Sequence, residues 1–261
     1  MNGSFPENHH TRGPRLNTLY NVRDLGGYAA AGGRQTQSGR FLRADAPVRL
    51  DAHDLQVLFS YPVRTVIDLR SRSEIVAAPS MLISFPEITY YNVPLLGDDM
   101  ERAMAALYEH SVRPAAYPDG RAYQVGLADL YLLLLDRSQA LIGRVMNLSA
   151  DATDGACLIN CSHGKDRTGL VAALLLLLAG VDETNIVENY QVSASLLQPW
   201  FDTFIHEVPA ADRVFFNTDP ENMRIALDHL VRHYGSAEQY LGICGVSPQQ
   251  LGRLKSRLLD S

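Results

Sequence analysis

Residues 156–181 constrain this chain more than any other stretch. The apolar run Ala156 to Ile159 feeds into Cys161-Ser162-His163-Gly164-Lys165-Asp166-Arg167-Thr168-Gly169, and a longer apolar run, Leu170 to Val181, leaves it. A short apolar run, a glycine-containing polar turn and a long apolar run read as buried strand, tight loop and buried helix. The loop then lies at a helix N-terminus, where unbonded backbone N–H groups and the helix dipole attract an anion.

The residue types in the loop suit one chemistry. Converging N–H groups make a nest for phosphate oxygens. The Arg167 guanidinium can grip two of those oxygens with parallel hydrogen bonds, as a lysine cannot. The Cys161 thiol lies in the same positive field and is expected to be thiolate at neutral pH. A thiolate beneath a phosphate monoester can attack phosphorus and form a phosphocysteine. Gly164 lets the backbone turn without a Cβ clash. Ser162 and His163 complete the loop, and the Thr168 hydroxyl can hold the thiolate or the leaving group. Lys165 is expected to face the mouth and meet a second phosphate or a carboxylate; a solvated rim charge is the plainer alternative. The plainer reading of the pair is a buried cysteine and a surface ion-pair arginine, and the full string makes that reading the poorer one. A redox or sulfur-transfer use of Cys161 would leave Arg167 without a purpose.

Composition sets the bounds. The 261 residues are enough for a large core and suit one domain, here residues 16–261. The first fifteen residues are polar, carry His9 and His10, and are expected to be a disordered arm without a signal peptide. With 23 basic and 29 acidic residues, the net charge of −6 disfavours nucleic acid as a partner and gives no general pull toward anionic membranes. No apolar run reaches the roughly 18 residues of a membrane span, so no integral membrane association is expected. Three cysteines without a disulfide pattern suit a reducing, cytoplasmic compartment, with export lacking a recognisable signal left open.

Along the chain, Gly26-Gly27 marks a turn in Asn21–Tyr28, which reads as a plain hairpin. Phe41–Ala44 reads as a short strand with Asp45 at its end, Asp51–Ser60 as a helix capped by Asp51, and Thr65–Leu69 as a parallel core strand. Arg70 ends that strand and is expected to pair with Glu74, the other possibility being to buttress the phosphate loop. Ile88–Val93 is the next strand. Helices are expected over 98–110, with Met100, Met104 and Leu107 on one face, and then over 128–135, 138–146, 220–234, 236–243 and 247–259, with Asp182 capping a further helix that contains Tyr190. His229 and His233 have metal-ligand spacing but no H-E-x-x-H glutamate, so a solvated face is expected and no metal.

The loop resembles the signature of the cysteine-dependent phosphatases, and C-x-x-G-K-D-R-T-G resembles the narrower bacterial tyrosine-phosphatase-B and lipid-phosphatase-A type. Asn21-Val22-Arg23-Asp24-Leu25-Gly26-Gly27-Tyr28 is similar to that family's opening motif, and Ile67-Asp68-Leu69-Arg70-Ser71 with Glu74 to another. The resemblance runs from about Leu19 to Leu259. It implies an α/β fold of the protein-tyrosine-phosphatase kind, with a central, mostly parallel sheet flanked by helices and a helical lid inserted at about 96–124. It implies a phosphomonoesterase without cofactor, acting on phosphotyrosine, phosphoserine or phosphothreonine proteins, or on phosphoinositides. It also prefers Asp166 as proton donor; Asp119, in Tyr-Pro-Asp, is the alternative acid, and a Pro-Asp-Gly turn is its plainer explanation. One position departs: most relatives have histidine before the cysteine, and this chain has Asn160. Such an asparagine resembles the phosphoinositide phosphatases among bacterial effectors and tilts the expectation toward lipid or inositol phosphate. It also motivates an alternative, a catalytically weak phosphate-binding pseudophosphatase.

Overall fold

The apolar segment before the loop becomes β7 (Ala156–Asn160), the middle strand of the main sheet. Its neighbours are β2 (Phe41–Ala44) and β3 (Val63–Asp68), flanked by β1 (Arg23–Asp24) and β4 (Thr89–Asn92), in the order β1-β2-β7-β3-β4. All pairings are parallel except β1 with β2. In this computed structural model the described residues are 12–97, 115–116, 122–123, 126–152, 154–208, 213 and 216–260. A separate two-stranded ladder joins β5 (Ala115–Ala116) to β6 (Ala122–Tyr123). The helix expected over 98–110, and Asp119, lie outside the described residues.

Strand alternation decides which helices pack where. Cys157 and Ile159 of β7, with Ile67 of β3, belong to the larger core, whereas Ala156 and Leu158, with Val66, belong to the smaller one. The smaller core is closed by α1 (Ala52–Ser60), whose first turn is fixed by the Asp51 carboxylate accepting from the Asp54 amide at 2.8 Å. The larger core is built on α5 (Arg167–Ala179), which is buried at every residue except Leu177. A helix apolar all round can only be central, and Gly180, in the left-handed region at φ 78°, stops it. It starts at Arg167, three residues before the apolar run, because the loop itself supplies its first turn.

Of the remaining helices, α3 (Leu127–Arg137), α4 (Gln139–Asp151), α6 (Glu183–Gln191), α7 (Ser193–Phe201), α8 (Pro220–Tyr234), α9 (Ala237–Ile243) and α10 (Pro248–Leu258), it is α6, α9 and α10 that pack directly on α5, while α2 (Arg72–Ala77) follows β3. Their starts follow local chemistry: Asp182, Asp219, Ser236 and Ser247 each cap the helix that follows, and prolines fill the first positions of α8 and α10. His233 is exposed and His229 half-buried, with their polar contacts at the surface. His229 Nε2 lies 2.8 Å from Asp136 Oδ1 on α3, and the two imidazoles stack 4.1 Å apart. No described helix is long and apolar enough to cross a membrane.

The register levels Ala44, Asn160, Asp68 and Asn92 at the carboxyl ends of the parallel strands. In open α/β sheets that edge is where ligands bind, and the 161–167 loop leaves from its centre.

One close approach tests this packing. Gly143 of α4 faces the Cys244 carbonyl at the end of α9, and a methyl group there would run into it. In an unobstructed helix Gly→Ala would stabilise by up to about 1 kcal/mol. Here Gly143→Ala should instead destabilise by about 1–3 kcal/mol in urea unfolding, the usual result of overpacking. An unchanged or raised midpoint would contradict the α4–α9 contact.

Candidate active site

The loop is shaped by what holds its carbonyls. The Ser162 carbonyl accepts from the Ala46 amide at 3.2 Å, and the His163 carbonyl from Asn21 Nδ2 at 2.8 Å. Gly164 and Lys165 carbonyls accept from Arg43 Nη2 at 2.7 and 3.2 Å, and the Asp166 carbonyl from the Leu170 amide at 2.8 Å. Five consecutive carbonyls are thus tied to the scaffold. The Ser162, His163, Gly164 and Asp166 amides, by contrast, donate to no group among the described residues. Backbone N–H groups left over in this way at a helix start form an anion nest. Gly164 makes the turn possible: its φ is 63°, and a Cβ would strike the Ala44 carbonyl.

Cys161 lies at the base of this loop, 2 % exposed. The other two cysteines are also free and buried, and burial pushes Cys157 up to about 12 and Cys244 up to about 11. Arg167 is anchored on both terminal nitrogens by Glu74, at 2.6 and 2.7 Å, and Nη2 also reaches Ser162 Oγ at 3.2 Å. Glu74 is itself set by a capping box at the start of α2, where Glu74 Oε2 accepts from the Ser71 amide at 2.8 Å, and it takes a further hydrogen bond from the Ser162 hydroxyl. Burial alone would raise its carboxyl, but the Arg167 guanidinium and the Ser162 hydroxyl outweigh that and hold it down at about 2. Burial likewise works against the Arg167 charge, and Glu74 together with the Cys161 sulfur raises its pKa regardless.

Glu74 therefore pairs with Arg167 and not, as expected, with Arg70. Arg70 turns back on its own strand and forks onto Asp68, at 2.8–3.1 Å. Lys165 is not at the mouth either. It is 1 % exposed, donates to the Asn217 carbonyl at 2.7 Å and lies 3.4 Å from Asp166 Oδ1. Asp166 stays one-fifth exposed and accepts from the Tyr131 hydroxyl at 2.6 Å. The Thr168 hydroxyl and both polar side-chain atoms of Asn160 are buried and bond no group among the described residues, so neither residue holds the thiolate or braces the loop.

The bracing comes from residues the loop sequence does not contain. Asn21–Tyr28 does form a turn, but its first residue bonds the loop and Arg23 reaches across to the Asn189 carbonyl and Ser193 Oγ at 2.6 and 2.8 Å. Asp45 accepts from the Tyr20 and Asn21 amides, at 3.1 and 2.9 Å, and burial pushes its carboxyl up to about 6. Asn21, Arg43 and Asn189 are missed by sequence reasoning. Two signals were available: Asn21 opens the family-like motif Asn21–Tyr28, and Arg43 and Asp45 lie at the end of a core strand.

A cleft of about 720 Å³ opens beside the loop, lined by Tyr20, Arg49, Glu74, Ser162, His163 and Trp200 among others. The His163 ring lies 4.7 Å from that of Trp200 on α7, and burial pushes the imidazole down to about 4.

That burial has a pH signature. Between about pH 6.5 and 4 the unfolded chain holds a proton on His163 that the folded chain refuses, so stability from this group falls as pH falls. Asp45, held up to about 6, slopes the opposite way. The wild type is therefore expected to lose melting temperature on acidification more steeply than His163→Asn, measured by circular dichroism across that window. Parallel curves would remove the half-buried neutral imidazole from the account.

The amino-acid sequence carries the same signal beyond the loop. Residues 14–260 match a family model described as "Tyrosine phosphatase family". A tyrosine-protein phosphatase of Nostoc commune is 32 % identical over 84 % of this chain and 74 % of its own. The triple specificity protein phosphatase PtpB of Mycobacterium tuberculosis is 26 % identical over 92 % of this chain and 96 % of its own. The crystal structure of P. aeruginosa TpbA covers 81 % of this chain and 90 % of its own at 18 % identity, a loose likeness with a TM-score of 0.36. With the match spanning nearly every residue around the nest, this chain belongs to the tyrosine phosphatase family.

Proposed function

We propose that the chain hydrolyses phosphate monoesters through a phosphocysteine, on phosphotyrosine and phosphoserine or phosphothreonine proteins, on phosphoinositides, or on both. The observation that carries the reading is the division of the loop that Cys161 opens: carbonyls tied back, amides left for an anion. In the first step the Cys161 sulfur forms a bond to phosphorus as the bond to the leaving oxygen breaks. Asp166 gives its proton to that oxygen. In the second step water attacks phosphorus, its proton returns to Asp166, and the S–P bond breaks to restore the thiolate. The loop amides and Arg167 stabilise the equatorial oxygens in both transition states. Glu74 fixes the Arg167 fork before substrate arrives, so little orientation remains to be organised. Ser162, His163, Gly164, Lys165 and Thr168 form the phosphate loop in this reading, with Lys165 acting as partner of Asp166 from within.

The resemblance to PtpB, named as a triple specificity phosphatase, supports a broad substrate range. The bond-free Asn160 side chain is the observation behind the pseudophosphatase alternative, which predicts phosphate binding without turnover.

Cys161→Ser should retain phosphopeptide binding yet release no phosphate, and vanadate should inhibit the wild type while EDTA does not. Arg167→Lys should lower kcat/KM by about 10²–10³, the range for removing a transition-state donor. Asp166→Asn should lower kcat by about 10²–10⁴ on substrates with poor leaving groups and much less on p-nitrophenyl phosphate. EDTA-sensitive activity that survives Cys161→Ser would sink the reading. Rates measured side by side on a phosphotyrosine peptide, a phosphoserine peptide and phosphoinositide vesicles assign the substrate class.

A further inference from the structure

The charges beneath the loop do not balance. Arg167 has Glu74 on both terminal nitrogens. Lys165 has Asp166 at 3.4 Å. Arg23 of β1 is buried and bonds only neutral oxygens, of Asn21, Asn189 and Ser193; the Asp45 carboxylate favours its charge from farther off, while Arg43 opposes it. Burial pushes His163 down to about 4, so it is neutral at physiological pH. Arg43 also lacks a bonded anion, and it touches the loop itself. It is 1 % exposed, and its partners are the Asn189 side-chain oxygen at 2.6 Å and the Gly164 and Lys165 carbonyls, all of them neutral. Its Nε bonds nothing among the described residues.

A buried guanidinium without an anion is costly, and one that persists calls for a counter-charge. Four groups that can become negative favour its charge: Cys161, which opens the loop whose carbonyls Arg43 bonds, Tyr28, Tyr131 of α3 and Tyr190 of α6. Burial raises all three tyrosines above their ordinary value, so they stay neutral near pH 7. That leaves the sulfur. Burial pulls Arg43 down to about 10, and Cys161 is the strongest influence opposing that pull. The Asn160 side chain, uncharged and bond-free, supplies nothing in its place.

We propose that Arg43 is a positioning residue of this site: its unpaired, buried charge is the counter-ion of the Cys161 thiolate, and its bonds to the Gly164 and Lys165 carbonyls fix that charge beneath the loop. The proposal rests on Cys161 being the nucleophile. It divides the work between two guanidiniums. Arg43 keeps the sulfur anionic, and Arg167, held by Glu74, is left to meet the phosphate.

The test reads the thiol and not turnover. Iodoacetamide alkylation of Cys161 is followed by peptide mass spectrometry from about pH 5 to 9. Cys157 and Cys244, buried and pushed up to about 12 and 11, serve as slow internal references. Asn189→Asp sets a carboxylate against Arg43 Nη1 while keeping the acceptor, so it neutralises the charge without deleting the side chain. Arg43→Met deletes the charge, and Arg43→Lys retains it. With each protein normalised to its own high-pH plateau, the midpoint of the alkylation profile should move up by about one pH unit in Asn189→Asp and Arg43→Met, a tenfold change in the ionisation equilibrium. Arg43→Lys should stay within about threefold of wild type in that equilibrium, and the acidic limb of the p-nitrophenyl phosphate profile should move with the thiol. A wild-type profile in whichever charge-removing variant folds, judged by circular dichroism, overturns the proposal. So does a wild-type Cys161 that reacts at pH 6 no faster than glutathione. Neither result depends on the Cys161→Ser experiment, so the nucleophile assignment and this proposal fail separately.

Discussion

Everything at this site depends on the loop carbonyls facing inward. A seven-residue turn has no intrinsic reason to sort its amides from its carbonyls; in water both would be solvated alike. Here each carbonyl from Ser162 to Asp166 meets a donor fixed on another element: the Ala46 amide past β2, Asn21 before β1, Arg43 on β2, and the Leu170 amide on α5. With the carbonyls occupied, the amides are what the turn presents to an anion. Bonds of this kind individually contribute only about 0.5–1.5 kcal/mol net. Their joint effect is geometric, because they fix where a negative charge is welcome.

The same economy governs the ionic groups. Glu74 is distant from the loop in sequence, but the α2 capping box orients its carboxylate and that carboxylate orients Arg167. A helix cap and a phosphate clamp are thereby one structure. Arg70 and Asp68, which might have competed for these groups, neutralise each other at the end of β3. The result is that the Arg167 guanidinium is oriented before any anion arrives, in surroundings where an unmatched charge would be costly.

The site also explains why the sheet is built as it is. The nest needs a strand that ends abruptly in the middle of the sheet, with neighbours on both sides ending level with it. β7 between β2 and β3 provides this, with Ala44, Asn160 and Asp68 in register. The all-round apolar α5 is the complement. Because it is buried on every side, its N-terminus is held rigidly where the loop delivers it, and its first turn is made of loop residues.

What the sequence determined alone is local. Hydrophobic period and capping chemistry act over a few residues, so β2, α8, the caps at Asp51 and Asp182, and the strand-loop-helix around Cys161 were legible without coordinates. So was the family, because the loop string is contiguous. Tertiary structure alone decided who holds that loop. Asn21 meets His163 across 142 positions and Arg43 meets Gly164 across 121, separations over which no periodicity carries information. It decided that Lys165 is buried, that Arg70 takes Asp68, and that Glu74 takes Arg167, since a charged side chain chooses among partners by distance in space and by the depth at which water is lost. Residue types declared which chemistry was possible; the packing of β2 and α2 against the loop selected which groups would take part in it.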